Sequence, residues 1–88
     1  MTIIKWFQRR KDREFIKTSF RMSRSFIHEC SSSATGELIK AYQELLDDYR
    51  IKYGNDDIYL HYLGRLEYFK YVKRYKEQDE LLRRKIEE

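Results

Sequence analysis

Basic residues in the first third of the chain recur at helical spacing, a pattern suited to holding an anion. Successive members are three or four residues apart, so on an α-helix they fall on one narrow strip. Arginine predominates, and its planar guanidinium can grip a phosphate with two hydrogen bonds. The strip, named here the cationic rail, consists of Arg10, Arg13, Lys17, Arg21, Arg24 and His28.

The cationic rail predicts a small, non-enzymatic basic protein that binds nucleic acid without sequence specificity. A row of cations can contact several backbone phosphates in turn and release their counterions. An acidic protein partner would suit the same row. Two further interpretations give the rail no ligand: its stems shield the core edge as a solvated face, or it pairs within the chain with Glu44, Asp47 and Asp48.

Composition and charge place this rail in one small helical domain spanning residues 1–88. Hydrophobic residues make up 41% of the chain and charged residues 39%, with no proline and three glycines, which favours long helices over loops. The net charge of +4 is uneven. Residues 1–31 carry eight Lys or Arg against three Asp or Glu, whereas residues 32–57 carry three against six. The basic excess therefore coincides with the rail.

Two breaks divide the chain into three predicted helices. The small residues before Glu37 are expected to end helix 1 and to cap helix 2, with Thr35 or Ser33 as its N-cap. Gly54 can adopt the left-handed conformation that closes a helix, and Asp56 or Asp57 can cap the next one. The predicted helices cover residues 3–31, 36–53 and 57–87.

Apolar residues at helical spacing then predict an all-α fold, a small three-helix bundle with a long C-terminal helix. No segment alternates with the period of a strand. The predicted core consists of Phe15, Ile16, Phe20, Phe26, Ile27, Leu38, Tyr42, Leu45, Leu46, Tyr49, Tyr59, Tyr62, Leu66 and Phe69.

Helix 3 carries a second apolar stripe, rotated away from the first. One helix with two apolar faces usually packs against two neighbours, so this stripe predicts a protein interface, most simply a homodimer. The alternative function is therefore a protein-interaction module that holds an acidic or helical partner, and a frayed, solvated end is the other interpretation. The stripe consists of Tyr68, Val72, Tyr75, Leu82 and Ile86.

Residues 68–76 also interleave aromatic and basic side chains, as proteins that bind single strands do. These aromatics fall on packing stripes of a helix, so core or interface packing is the favoured interpretation. A helix-turn-helix is disfavoured because the would-be recognition helix begins with two aspartates that would repel phosphate. A membrane-surface role is third, since residues 3–24 lack one continuous apolar face.

No metal site, cofactor or catalytic constellation is expected. His28 and Cys30 diverge around a helix, and His61 is the other histidine, against the four ligands of structural zinc. Phosphate-binding loops and nucleophile–base arrangements are absent from the sequence. One cysteine, no signal peptide and no apolar run of about 20 residues favour a cytoplasmic protein without a transmembrane segment.

Overall fold

The computed structural model describes residues 3–87, which form three helices and no strand. They are α1 (Ile3–Glu29), α2 (Ser32–Tyr53) and α3 (Asp57–Glu87). The prediction of an all-α three-helix bundle with a long C-terminal helix is confirmed. No helix in the described part of the chain is long and apolar enough to cross a membrane.

The first break is shorter than predicted, because Ser31 rather than Thr35 or Ser33 is the N-cap of α2. The Ser31 hydroxyl accepts a hydrogen bond from the backbone N–H of Ala34 at 3.2 Å. The hydroxyl of Thr35 is used inside the helix, where it donates to the Ser31 carbonyl at 2.8 Å. Helix α2 therefore begins at Ser32, earlier than the predicted residue 36.

The second break lies at the predicted residues, but with a ψ of −167° Gly54 does not adopt the predicted left-handed helical conformation. Gly54 has a φ of 80°, a conformation that side chains disfavour, and its N–H donates to the Arg50 carbonyl at 2.7 Å. Asp56 then caps α3, since its Oδ1 accepts the backbone N–H of Tyr59 at 3.0 Å. Gly54 therefore closes α2, and Asp56 rather than Asp57 opens α3.

The core lies along the shared axis of the three helices and is rich in aromatic rings. Phe20 stacks on Tyr42 with ring centroids 4.6 Å apart and on Phe69 at 5.7 Å, which joins all three helices. Half-buried Leu38, Leu45 and Tyr62 pack around the core. The buried hydrophobic residues are Ile16, Phe20, Ile27, Leu46, Tyr49, Ile58, Tyr59, Leu66, Phe69 and Val72.

The core prediction was wrong for two phenylalanines of α1. Phe15 is 61% exposed and Phe26 is 66% exposed. The buried strip of α1 runs through Ile16, Phe20 and Ile27. Phe15 and Phe26 lie beside this strip, on the same apolar arc of the helix surface, and α2 and α3 leave them uncovered. The apolar arc of α1 is therefore wider than the surface that α2 and α3 can bury.

Helices α1 and α3 run parallel to each other, with α2 antiparallel to both. Arg9 of α1 meets Asp56 at the start of α3, and Lys76 of α3 meets the carbonyl of Cys30 at the end of α1. These contacts offset α1 and α3 along the axis of the bundle, so each end of the described structure consists of a single helix. Residues 3–8 of α1 project beyond one end, residues 81–87 of α3 project beyond the other, and the long axis reaches 64 Å.

Candidate nucleic-acid interface

The cationic rail lies along the rim of a groove between α1 and α3, rather than on the side of α1 that faces away from the bundle. The groove has a volume of about 340 Å³. Four of the six rail residues line it, namely Lys17, Arg21, Arg24 and His28. From Lys17 to His28 the rail covers 12 residues, whose 11 steps rise about 16 Å along the helix. The tertiary structure therefore turns a row of cations into one wall of a basic groove.

The opposite wall comes from α3, and sequence reasoning missed it. His61, Arg65 and Tyr68 line the groove from that side. They are four and three residues apart, so they occupy one strip of α3 as the rail occupies one strip of α1. That spacing is visible in the sequence, but only the parallel packing of α1 and α3 places this strip beside the rail.

The groove combines cations with no carboxylate among the described residues that line it. Its basic lining is Lys17, Arg21, Arg24 and Arg65, together with the two histidines. Within residues 3–87, the ion pairs include none formed by Arg21, Arg24 or Arg65. Like charges held together in this way concentrate positive potential and attract anions.

Three rail residues have contacts outside the groove, namely Arg10 and Arg13, which do not line it, and Lys17, which does. Arg13 forms an ion pair with Asp57 at 3.0 Å, and the Lys17 ammonium lies 3.5 Å from Glu14. The Arg10 guanidinium sits over the Trp6 ring, 5.5 Å from its centroid. None of the described ion pairs joins the rail to Glu44, Asp47 or Asp48, so the alternative in which the rail pairs with the acidic face of helix 2 is not observed.

A carboxylate network fixes the end of the bundle below the groove. Asp56 accepts hydrogen bonds from the Tyr49 hydroxyl at 2.5 Å and from Arg9 at 2.8 Å, besides the Tyr59 amide. Burial opposes ionisation of Asp56, but these three donors outweigh it and hold its pKa below the ordinary value. Burial, together with donation to Asp56, raises the pKa of Tyr49 to about 12.

A second tyrosine ties α2 to α1 nearby. The Tyr53 hydroxyl donates to Asp12 Oδ2 at 2.6 Å, and the Arg9 guanidinium lies 5.5 Å from the centroid of the Tyr53 ring. Burial, followed by the hydrogen bond to Asp12, raises the pKa of Tyr53 to about 12. These contacts fix the height of α1, and hence of the rail, relative to α2.

Lys76 performs the corresponding task at the other end of the bundle. Its ammonium donates to the carbonyls of Ile27 and Cys30, at 2.6 Å to the latter, and to Thr35 Oγ1 at 3.1 Å. A cation that binds the last carbonyls of a helix satisfies acceptors that have no partner within the helix. Lys76 therefore attaches the C-terminal end of α1 to α3.

The predicted interface stripe of α3 is divided by the fold. Tyr75, Leu82 and Ile86 are exposed, and Tyr68 belongs to the groove. Val72 is only 8% exposed and packs in the core, so the interface prediction was wrong for that residue. The reason is that the α3 face toward α1 and α2 extends farther along the helix than the first apolar stripe indicates.

Neither a metal cluster in the described residues nor a match to a known protein helps to assign this site. Across residues 3–87, no three His, Cys, Asp or Glu side chains gather closely enough to hold a metal ion. Comparisons with family models, with curated proteins and with solved structures found no match to this chain.

Proposed function

We propose that the protein binds nucleic acid without sequence specificity through the basic groove and the adjoining cationic rail. One observation carries the proposal: Arg21, Arg24 and Arg65 come from two helices to one groove whose described lining holds no carboxylate. Phosphate contacts position a protein on nucleic acid without reading its sequence.

The energetics of the cluster favour this function over a merely solvated face. Exposed helix faces usually mix charges, because pairs of opposite sign three or four residues apart stabilise a helix by about 0.2–0.5 kcal/mol. Arg21, Arg24 and Arg65 form none of the described ion pairs and so lack that gain, and the cations of the groove repel one another. A bound phosphate backbone would relieve the repulsion and release counterions.

Fluorescence anisotropy with labelled random-sequence DNA, titrated at several salt concentrations, tests the proposal. We expect affinity to fall steeply with salt, with each phosphate contact steepening the log–log slope by about 0.9 on duplex DNA and about 0.7 on single strands. Binding that does not respond to salt, or no binding at low salt, would contradict the proposal.

Two triple variants of equal charge separate the groove from the net charge. The first replaces Arg21, Arg24 and Arg65 by Gln, and should abolish binding. The second replaces Arg50, Arg74 and Arg84 by Gln. These three arginines are exposed and lie outside the groove lining, so this variant should retain most of the affinity. Equal losses in the two variants would show that net charge, not the groove, holds the nucleic acid.

An acidic protein partner is the competing ligand for the same cations. Polyglutamate tests it, because this polymer supplies the negative charge of an acidic protein without phosphates or bases. DNA carries its charges closer together than an extended polyglutamate chain and releases condensed counterions when it is bound, so we expect polyglutamate to compete poorly against DNA at equal charge. Polyglutamate that displaces DNA at equal charge would move the proposal to an acidic protein.

The projecting end of α3 supports protein interaction as a second candidate function. Residues 81–87 extend past the contact between Glu80 and Ser32, and Leu82 and Ile86 are exposed there. A second copy of the chain is the simplest occupant. Light scattering should show a dimer that the combined changes Tyr75→Ala and Leu82→Ala dissociate without loss of nucleic-acid affinity. A wild-type monomer would eliminate this candidate.

A further inference from the structure

Tyr68 gives the basic groove an aromatic ring at its rim. The Tyr68 side chain is 46% exposed, and its ring lies edge-on to His28, with centroids 6.3 Å apart. Because His28 belongs to α1 and Tyr68 to α3, this edge-on contact spans one end of the groove. Neither ring is buried in the core, because His28 and Tyr68 are both exposed.

The interior of the groove is aromatic as well. The buried rings of Phe20 and Phe69 line it together with half-buried Tyr62, and Tyr68 lies beside Phe69 with ring centroids 6.4 Å apart. Tyr68 is therefore supported from the core side while it remains open to solvent. The groove thus combines arginines, which suit phosphates, with a supported aromatic ring, which suits a flat apolar ligand.

From this combination we propose that the groove takes single-stranded nucleic acid, with an unpaired base stacked on Tyr68 and the backbone phosphates held by Arg21, Arg24 and Arg65. The inference rests on the proposed nucleic-acid function and names its substrate class. Aromatic rings next to a cationic track are how proteins hold single strands without reading sequence, since every base has a face that can stack.

A duplex cannot use the aromatic part of this site. Its bases are paired and stacked on one another, so it offers the groove only phosphates and base edges. An unpaired strand can turn a base out onto Tyr68 while its backbone follows the cations. The groove wall spans only about 16 Å, enough for a short stretch of flexible strand rather than a long duplex track.

Other tyrosines of α3 provide a matched control. Tyr71 is 65% exposed on the same helix but does not line the groove. Both residues can be replaced by alanine without opening a cavity in the core. Any effect specific to Tyr68 therefore reports the groove and not a general loss of exposed aromatic surface.

The test is anisotropy of a labelled oligothymidine and of a random duplex of the same length, with the full chain at one low salt concentration. We expect tighter binding of the single strand. Tyr68→Ala should weaken that binding by about 5- to 150-fold, the range for loss of one stacked base. The Tyr68→Ala and Tyr71→Ala variants should bind the duplex alike, Tyr71→Ala should leave the oligothymidine affinity unchanged, and Tyr68→Phe should restore it.

The outcomes separate this inference from the broader function. A duplex bound as tightly as the single strand, or equal effects of Tyr68→Ala and Tyr71→Ala, would overturn the single-strand inference and leave phosphate binding in place. Absence of binding by both nucleic acids at low salt would overturn both. Circular dichroism of each variant shows whether it keeps the helical fold. If the alanine variant unfolds, the affinities of Tyr68→Phe for the oligothymidine and for the duplex are compared instead.

Discussion

Arg9 Nη2 lies 2.8 Å from Asp56 Oδ2, the same oxygen that accepts the Tyr49 hydroxyl at 2.5 Å. Arg9 belongs to α1, Tyr49 to α2, and Asp56 caps α3, so one carboxylate connects all three helices. The Asp56 side chain is only 13% exposed, which limits screening by solvent. This contact fixes the parallel alignment of α1 and α3 on which the basic groove depends.

The ionised form of Asp56 should make stability fall in acid. Its pKa is lower in the folded chain than the value of about 3.9 in an unfolded one, so the unfolded state takes up the proton first as pH falls. The stabilisation is present above about pH 4 and is lost as pH drops through the folded pKa. Urea denaturation at neutral and acid pH should show Asp56→Asn less stable than wild type by about 1–3 kcal/mol at pH 7.

The difference between wild type and Asp56→Asn should shrink as pH falls, because the variant has no proton to gain at that position. Asp57→Asn is the matched control, since the Asp57 side chain is 73% exposed and its ion pair with Arg13 contributes little. A constant difference across the acid range, or an Asp57 effect as large as that of Asp56, would contradict the assignment.

In alkali the stability should decline between about pH 10 and pH 12. The pKa values of Tyr49 and Tyr53 are raised to about 12 in the folded chain, so the unfolded state loses these protons first. Their contribution is complete below pH 10 and disappears as pH passes the folded values. Urea midpoints should show a smaller decline in a variant with both Tyr49→Phe and Tyr53→Phe, whereas Tyr71→Phe should change nothing.

Two phenylalanines of α1 should differ greatly in their effect on stability. Phe20→Ala removes a ring that is 4% exposed and stacked on Tyr42 and Phe69, and should cost about 3–5 kcal/mol. Phe26→Ala removes a ring that is 66% exposed and should change stability by no more than about 0.5 kcal/mol. Chemical denaturation of both variants measures the contrast. A costly Phe26→Ala would mean that this ring is covered in solution.

Lys76→Met should loosen the C-terminal end of α1. The change keeps the apolar stem but leaves the carbonyls of Ile27 and Cys30 without the ammonium, at a cost of about 1–3 kcal/mol. Lys70→Met is the control, because among the described residues the Lys70 ammonium pairs with Glu67, one turn away on the same helix, in an exposed pair. Hydrogen exchange at the end of α1 should accelerate only in the Lys76 variant, and unchanged protection there would argue against the capping role.

Arg65→Gln tests whether α3 shares in the nucleic-acid site. Loss of one phosphate contact should lower the magnitude of the salt slope by about 0.7 on single strands. Arg74→Gln removes the same charge from an exposed α3 position outside the groove lining, and its slope should match wild type. Equal slopes for the two variants would restrict the site to α1.

Local patterns account for much of the fold. Gly54 and Asp56 ended one helix and began the next as their backbone and capping chemistry indicates. The predicted N-cap of α2, Thr35 or Ser33, was wrong, and Ser31 takes that position. Residues 31–35 include several hydroxyl side chains, and the local sequence does not show which of them caps the helix. The rail was visible for the same reason as the helices, since its members are three or four residues apart on a single element.

What the sequence determined by itself is the helical class, the two breaks and the periodic row of cations, all of which depend on residues close together in the chain. Tertiary packing decided which part of each apolar arc is buried: it left Phe15 and Phe26 in solvent and placed Val72 in the core. Packing also brought Arg65 and Tyr68 to the rail. Contacts between α1 and α3 join residues more than forty positions apart, for example Arg13 and Asp57. No local spacing specifies them, because they depend on how three amphipathic surfaces fit together in space.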